Sequence, residues 1–560
     1  MNGTRAVLCF CVVAILVGGT LLAAEPDRAE IDAIFADYDS TRTPGCSMAV
    51  YRDGKIAYAR GYGMANLEYG IANGPQTVFR IGSTSKQFTA MAIALLAEQG
   101  KLSLDADIRK FFPEMPDYGS PVTVGHLVHH ISGLRDYLGL SSLADWSEDY
   151  SIAEALTLIM RQTELNFEPG SEYLYSNSNY FLMAQIVEKV TGQTLHAWAD
   201  DHIFRPLQMG NSHFHDDHTH IVPNRADGYD SDGEGEFRIS MTILDMVGAG
   251  GVYTTVADLL RWDRNFYDNK LGSGGPELID LLYTPGTLND GESTDYAFGL
   301  SVGEYRGVRE IQHGGAFVGF RAGLNRYPDQ RLSVAVLCNY ADTNPTGMAR
   351  QVAELYLAAA LDAAAQGGSS EGQTETAAEA VAVPVDELTR AVGEYWNRND
   401  FRVRGIVLED GVLYYERAGG GRTELAPLGD DRFRMIGVPV RVIVGFERAP
   451  GASTKMVVDV EGQDTVSFEE FERATPSATT LAGISGEYYS EELDYRQVLK
   501  VVDGELIAVR RQGTETFGPL TGDVFSNGGV AVVLERDEKG AVSGFRVHAG
   551  RVRNLFYERR

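Results

Sequence analysis

The sequence is poor in cysteine and in positive charge. Only four cysteines occur in 560 residues (Cys9, Cys11, Cys46 and Cys338), and none has the spacing of a zinc site. The 78 Asp and Glu residues outnumber the 49 Lys and Arg residues, so the formal net charge is −29. This charge argues against nucleic acid or an anionic membrane surface as a partner.

Long apolar runs are also absent after the N-terminus. The run from Ala6 to Ala24 follows Arg5 and ends in small residues, which is typical of a secretory signal peptide. We therefore expect residues 1–24 to be removed and the protein to be periplasmic or secreted; an uncleaved membrane anchor is the alternative. No later stretch is long and apolar enough to span a bilayer. Cys46 and Cys338 then remain available to pair in an oxidising compartment.

A change in composition divides the chain, whose length already favours more than one domain. Residues 363–383 are mostly small or polar and contain no aromatic residue, which is typical of a linker. We predict domains at 25–362, 385–475 and 480–560, with a linker at 363–384.

The pattern beyond the linker is all strand and turn, and it occurs twice. The shared landmarks are Gly-Glu-Tyr at 393 and 486, Asp-Gly at 410 and 503, Pro-Leu at 427 and 519, and Glu-Arg at 472 and 558. Matching landmarks lie 93 or 92 residues apart over most of this length. The repeat predicts two homologous small β domains, each a barrel or closed meander.

A nucleophile is suggested by Ser83 and Lys86, which precede the apolar run Gln87–Gln99. That run ends at Gly100 and is apolar nearly all round, so it predicts a buried helix with both residues in its first turn. Burial and the positive end of the helix dipole both lower the pKa of a lysine. A neutral Lys86 can accept the proton of Ser83. The alternative is an N-cap serine beside a surface lysine, since Ser-x-x-Lys occurs by chance in a chain this long.

Three motifs in order carry a family resemblance: Ser83-x-x-Lys86, Tyr175-Ser176-Asn177 and His313-Gly314-Gly315. Over about residues 30–360 the chain resembles the penicillin-recognising serine hydrolases, which include class C β-lactamases, D,D-peptidases, esterases and D-aminopeptidases. No Gly-x-Ser-x-Gly motif of an α/β-hydrolase occurs. The resemblance implies an α+β fold: a β-lactamase-like domain with an antiparallel sheet, helices on both faces and an all-helical part. Two small antiparallel, lipocalin-like β-barrels follow it, as in D-aminopeptidase.

The resemblance also implies roles for these residues. Ser83 forms an acyl-enzyme, while Lys86 and Tyr175 act as general base and proton shuttle, in an order that sequence leaves open. Asn177 holds Lys86 or the substrate amide.

Strand residues complete the implied site. His313 and Gly315 line the substrate pocket, and the N–H groups of Ser83 and Ala316 form the oxyanion hole. The chemistry needs neither a cofactor nor a metal.

His313 is a departure from the family, which usually has a lysine there that helps bind a carboxylate. A largely neutral imidazole does this less well. We therefore expect a small peptide, amide or ester substrate without a free carboxylate, and D-aminopeptidase-like activity. The alternatives are a carboxylesterase, a β-lactamase or D,D-peptidase, and a non-turnover acylated sensor or cell-wall-binding protein. Whether the protein forms a homo-oligomer is left open.

Further histidines and the cysteines complete the candidates. The segment 213–220 looks like a metal loop, but a polar surface loop is the preferred interpretation. His126 and His130 match a family stretch with a structural role. In the resembled fold the first strand of the sheet pairs with the last, so the resemblance implies a disulfide between Cys46 and Cys338. Two separate buried cysteines are the alternative.

Overall fold

The computed structural model describes most of the chain, namely residues 26–367, 381–417, 421–438, 441–449, 453–460, 465–477, 480–481, 483–511 and 513–560. The predicted signal segment 1–24 lies outside these ranges, as do residues 368–380 of the predicted linker. Within the described ranges, no helix combines the length and the apolar character that crossing a bilayer requires.

A six-stranded antiparallel sheet is the centre of the N-terminal part. The strands of this part are β1 (Cys46–Arg52), β2 (Lys55–Tyr62), β3 (Met64–Asn66), β4 (Ile71–Ala72), β5 (Phe79–Arg80), β6 (His213–Phe214), β7 (Tyr229–Ser231), β8 (Phe237–Ile239), β9 (Val252–Thr254), β10 (Ser301–Tyr305), β11 (Val308–Phe317), β12 (Phe320–Tyr327) and β13 (Leu332–Cys338). The sheet order is β10-β11-β12-β13-β1-β2, and β5, β9 and β6 form a second, small sheet. Asp53 and Gly54 join β1 to β2 with φ of 51° and 71°, the conformation that an Asp-Gly hairpin turn favours.

Helices cover both faces of this sheet. They are α1 (Arg28–Ile34), α2 (Lys86–Glu98), α3 (Val124–Val128), α4 (Tyr137–Leu143), α5 (Ile152–Met160), α6 (Asn177–Thr191), α7 (Leu195–Ala199), α8 (Val256–Asn265), α9 (Glu277–Leu282), α10 (Pro345–Gly367) and α11 (Val385–Leu388). Alternation along β1 divides its side chains: Met48 and Val50 join the core under α1 and α10, and Ala49 and Tyr51 join the core around α2. Helices on both faces of an antiparallel sheet confirm the predicted fold of this part.

The central helix α2 is buried along nearly its whole length, from Lys86 to Leu96, as its apolar sequence predicts. The expectation that Ser83 lies in its first α-helical turn is wrong by a few residues, because Ser83 lies in a 3-10 turn over Gly82–Ser85 and α2 begins at Lys86. Two side chains hold this turn. Thr84 Oγ1 donates to the carbonyl of His313 at 3.2 Å, and Ser85 Oγ accepts from Val252 N at 3.0 Å.

A disulfide links two neighbouring strands of the sheet. β1 and β13 pair antiparallel with Cys46 opposite Cys338, and a disulfide joins these two residues, whose Cα atoms are 4.0 Å apart. It closes a segment of 292 residues that contains the three motifs.

Two closed antiparallel barrels follow. The first consists of β14 (Gly393–Trp396), β15 (Val403–Glu409), β16 (Val412–Arg417), β17 (Arg422–Gly429), β18 (Arg432–Met435), β19 (Val442–Glu447), β20 (Lys455–Val460) and β21 (Val466–Phe471). The second consists of β22 (Gly486–Ser490), β23 (Tyr495–Val502), β24 (Glu505–Arg510), β25 (Gly513–Pro519), β26 (Val524–Ser526), β27 (Ala531–Arg536), β28 (Val542–Ala549) and β29 (Val552–Arg559). Two closed eight-stranded barrels confirm the predicted C-terminal architecture.

The repeated landmarks occupy equivalent places in the two barrels. The Gly-Glu-Tyr segments lie in the first strands, β14 and β22, and the Asp-Gly pairs turn the chain between the second and third strands. Tyr395 donates its hydroxyl to the carbonyl of Ala391, and Tyr488 does the same to Ile484 four residues before it. The tyrosines are therefore core residues with satisfied hydroxyls, and they do not form an exposed binding stripe.

The second barrel packs against the helical part of the N-terminal domain. Leu140 and Leu143 of α4 and Leu158 of α5 belong to the same apolar cluster as the barrel core. The fully buried Arg135 donates through Nη1 to Glu492 at 2.8 Å, across the same contact. Removing either partner of this pair would leave an uncompensated buried charge at the contact between the barrel and the helices.

Removing the disulfide should lower stability. The Cys46→Ser/Cys338→Ser double variant loses a cross-link that restricts the unfolded chain, which typically contributes about 2–4 kcal/mol. We expect a lower Tm for the double variant and no titratable thiol in denatured, unreduced protein that lacks residues 1–24. As a control, reducing agent should lower the Tm of the wild type and leave that of the double variant unchanged. Two titratable thiols in the protein that lacks residues 1–24 would contradict the cross-link.

Candidate active site

Ser83 lies at the floor of a cavity of about 580 Å³ in the N-terminal domain. The turn that carries it approaches β11 so closely that a Cβ at Gly82 would lie 2.7 Å from Ala316 N, and a Cβ at Gly315 would lie 2.0 Å from the carbonyl of Ile81. Gly82 also has φ of +50°. Glycine at these two positions is what allows the turn and the strand to meet.

The amine of Lys86 is enclosed beside Ser83. Its Nζ lies 3.2 Å from Ser83 Oγ, 2.9 Å from Asn177 Oδ1 and 2.6 Å from the carbonyl of Ala249. Burial lowers the pKa of Lys86 well below its usual value, and the charge of Arg551 acts in the same direction against the opposing carboxylate of Asp136. A neutral amine has two N–H groups, and the carbonyl oxygens of Asn177 and Ala249 accept a hydrogen bond from each. Its lone pair is therefore left for the proton of Ser83.

Asn177 is held so that its carbonyl oxygen faces Lys86. Its side-chain Nδ2 donates to Asp136 Oδ2 at 2.9 Å, and its backbone N donates to the same oxygen at 2.7 Å. Asp136 also caps α4 through its other oxygen. Asn177 thus contacts Lys86, which is the first of the two partners that the sequence left open for it.

Tyr175 forms the wall opposite the helix. Lys86 Nζ lies 4.7 Å from the centre of its ring, and the ring of His130 packs against it at 4.2 Å. Burial raises the pKa of Tyr175, and the nearby Ser83 hydroxyl opposes that shift only in part. The phenol is therefore protonated at neutral pH.

His130 supports this wall from behind. Its Nδ1 accepts a hydrogen bond from Ser176 N at 3.2 Å, and it lies 3.1 Å from Asn179 Nδ2. Burial lowers the pKa of His130 well below its usual value, so the ring is neutral. His126 forms a capping box with Thr123 at the start of α3. Both histidines hold structure around the site.

His313 lies on β11 at the cavity but both of its nitrogens are occupied. Its Nδ1 donates to the carbonyl of Gly314 at 2.5 Å, so its Nε2 accepts from the hydroxyl of Tyr296 at 2.9 Å. Burial lowers the pKa of His313 to about 4. A neutral ring with no free nitrogen does not attract an anion. Tyr296 belongs to none of the motifs, so sequence reasoning missed it.

The remaining wall of the cavity was also not predicted. The lining includes the predicted Ser83, Tyr175, Asn177, His313, Gly315 and Ala316, while Lys86 lies behind Ser83. It also includes Arg80, Arg321 and Arg551, the last of which comes from the second barrel. No sequence motif marks these arginines.

No residue of the histidine-rich loop 213–220 lines this cavity. His213 Nε2 and His215 Nδ1 are 3.1 Å apart, and burial lowers the pKa of each ring to about 4. Over the part of the chain that the structure describes, no three His, Cys, Asp or Glu side chains are grouped to hold a metal ion.

Known proteins resemble this chain in sequence and in fold. The sequence model of the Beta-lactamase family matches residues 31–359. The chain is 28% identical to a D-aminopeptidase of Gluconobacter oxydans (strain 621H), covering 92% of this chain and 96% of the relative. It is 29% identical to a penicillin-binding protein of Bacillus subtilis (strain 168), covering 71% of this chain and 89% of the relative. The octameric penicillin-binding protein homologue from Pyrococcus abyssi has a similar fold, with a TM-score of 0.55 at 23% identity, covering 79% of this chain and 100% of that one.

The buried imidazole of His313 should make stability depend on pH. Its pKa is about 4 in the folded protein and near 6.5 when unfolded, so between these values only the unfolded chain binds the proton. Stability therefore falls as the pH falls from 6.5 to 4, and His313 accounts for about 3 kcal/mol of that fall. We expect His313→Gln to reduce the pH dependence of the free energy of unfolding, measured with urea.

Tyr296→Phe is the matched control. It removes the hydrogen bond between the Tyr296 hydroxyl and His313 Nε2 but keeps the imidazole. The free energy of unfolding should therefore retain most of its pH dependence. An unchanged slope in His313→Gln would contradict a buried neutral His313.

Proposed function

The chain belongs to the Beta-lactamase family of serine hydrolases, and on this premise we propose that it cleaves amide bonds of D-amino-acid substrates through an acyl-enzyme on Ser83. One observation carries the proposal. The buried amine of Lys86 gives its two N–H groups to Asn177 and Ala249 and faces Ser83 Oγ at 3.2 Å. A base beside a serine hydroxyl activates that hydroxyl as a nucleophile. Such activation serves catalysis and is not required for binding alone.

In the proposed reaction Ser83 Oγ attacks the substrate carbonyl while Lys86 takes its proton. The N–H groups of Ser83 and Ala316, on the two segments that meet at Gly82, receive the negative charge on the carbonyl oxygen. Because the Tyr175 phenol is protonated at neutral pH, we assign it the role of giving its proton to the leaving amine and taking back the proton that Lys86 removed from Ser83. Water then hydrolyses the ester by the reverse route. Lys86 is thus the general base and Tyr175 the shuttle.

The D-amino-acid substrate is supported by the extent of similarity. The D-aminopeptidase of Gluconobacter oxydans matches over 92% of this chain, a length that includes barrel sequence, whereas the penicillin-binding protein matches over 71%. A carboxylesterase, a β-lactamase or D,D-peptidase, and a non-turnover sensor remain the competing functions. A homo-oligomer stays a prediction, because the octameric homologue shares only the fold with this chain.

Three substitutions test the mechanism. Ser83→Ala should abolish turnover of a D-alanine p-nitroanilide, and Lys86→Met and Tyr175→Phe should each lower kcat/KM about 10²- to 10⁴-fold, the usual contribution of a general acid or base. Ser176→Ala is the matched control. Its hydroxyl has no hydrogen-bond partner among the described residues, so its removal should change kcat/KM only slightly.

A substrate panel separates the competing functions. It contains D- and L-amino-acid p-nitroanilides, a p-nitrophenyl ester and a chromogenic cephalosporin. We expect the D-anilide to be preferred over the L-anilide and over the cephalosporin. A stable adduct on Ser83 by mass spectrometry with no turnover would instead support the sensor, and full activity of Ser83→Ala would refute the acyl-enzyme.

We also propose that the protein is periplasmic or secreted. The apolar segment at residues 6–24 and the disulfide between Cys46 and Cys338 both support an oxidising compartment. Fractionation of expressing cells should recover protein that begins after residue 24 outside the cytoplasm. Recovery of full-length protein with reduced cysteines in the cytoplasm would contradict this.

A further inference from the structure

The active-site cavity is electropositive in a strongly acidic protein. Arg80, Arg321 and Arg551 line it, and among the described residues no Asp or Glu does so, although the chain has a net charge of −29. The acyl-transfer chemistry assigned above uses none of the three guanidinium groups. Their shared position therefore requires another explanation.

Arg80 is a buried cation without a counter-ion. It is only 4% exposed, and it forms no ion pair within the part of the chain that the structure describes. Its Nε has no hydrogen-bond partner, and its guanidinium lies 5.0 Å from the ring centre of Phe317 and 5.9 Å from that of Tyr253. A buried charge without a partner is costly unless a ligand supplies the opposite charge.

Arg321 extends the positive charge along the strand next to the oxyanion hole. It pairs across the sheet with Ala316, and its Nη1 donates to the backbone carbonyls of Val318 and Phe320. These carbonyls position the guanidinium without neutralising it. Over the described residues, Arg321 forms no ion pair with a carboxylate.

Arg551 reaches the cavity from the second barrel. It lies in the turn between β28 and β29, and its guanidinium lies 4.5 Å from the ring centre of Tyr175. The turn is pinned to the N-terminal domain, because the carbonyl of Arg551 accepts from Asn166 Nδ2 at 3.0 Å and Asn166 Oδ1 accepts from Arg553 N at 2.7 Å. The backbone of this turn is thus fixed, and the Arg551 side chain lies beside Tyr175.

The guanidinium of Arg551 keeps donors available. Its Nη1 lies 3.7 Å from Asp136 Oδ2, beyond hydrogen-bond distance, and that oxygen already accepts two hydrogen bonds from Asn177. The Arg551 side chain is 48% exposed. Its remaining N–H groups therefore face the cavity.

We propose that Arg551 of the second barrel is a specificity-determining residue that, with Arg80 and Arg321, binds a carboxylate of the substrate. The proposal rests on the proposed function and narrows its substrate class to anionic peptides and acylated amino acids. The neutral ring of His313 supplies no positive charge, which led us to expect substrates without a carboxylate. The three arginines, which lie far apart in sequence, supply that charge instead.

Binding measured without turnover tests this recognition. Calorimetry with full-length Ser83→Ala protein compares N-acetyl-D-alanyl-D-alanine with its C-terminal amide, and N-succinyl-D-alanine amide with N-acetyl-D-alanine amide. The two pairs place the carboxylate on either side of the scissile bond. We expect at least one acid to bind tenfold or more tightly than its neutral partner. Adding Arg551→Gln should remove most of that preference, because a hydrogen bond to a charged group typically contributes about tenfold or more in affinity.

Two controls separate recognition from other effects. Arg553→Gln, on the same hairpin, removes an arginine that pairs with Glu172 outside the cavity and should leave the preference unchanged. Arg551→Gln should unfold at the same temperature as the parent protein, which shows that the barrel stays docked. Equal binding of acid and neutral ligand in both pairs, or an unchanged preference in Arg551→Gln, would overturn the proposal. Because binding is measured in Ser83→Ala, a failure of the hydrolase assignment appears only in the turnover assays.

Discussion

The burial of one amine is the constraint on which the rest of this protein depends. A lysine amine has a pKa of 10.5 in water and is protonated there, whereas enclosure lowers the pKa of Lys86 well below that value. Enclosure requires a helix that is apolar on every side, so α2 packs within the core from Lys86 to Leu96. It also requires polar groups at the amine, which Asn177 and Ala249 supply.

Asp136 connects that amine with the second barrel. It holds the Asn177 amide so that the carbonyl oxygen faces Lys86, it caps α4, and it lies 3.7 Å from Arg551. The helix that it caps packs against the core of the second barrel. The barrel therefore contributes a wall of the site and cannot be regarded as a separate appended module. The buried Arg135, which precedes Asp136 in the chain, donates a hydrogen bond to Glu492 across the same contact.

Local patterns predicted much of the fold and several residues of the candidate site. The apolar run of α2 and the Asp53-Gly54 turn are properties of short segments, and the duplicated landmarks showed two barrels before any contact was known. Ser83, Lys86, Tyr175, Asn177 and His313 could be found because each lies in a short motif. The 3-10 turn at Ser83 could not be predicted, since it is held by Thr84 and Ser85 bonding to segments that are distant in sequence.

The sequence by itself determined which residues can perform the chemistry, because a nucleophile, an amine and a phenol are recognised by type and spacing. Tertiary structure alone decided the charge of the pocket. Tyr296 occupies the free nitrogen of His313, and Arg551 enters from a hairpin more than 200 residues downstream of His313. An electrostatic environment depends on distances through space. No short sequence pattern predicts how a barrel that is distant in sequence packs against the N-terminal domain. The Ser-x-x-Lys pair that chance could have produced thus lies at a cavity lined by arginines that are distant from it in sequence.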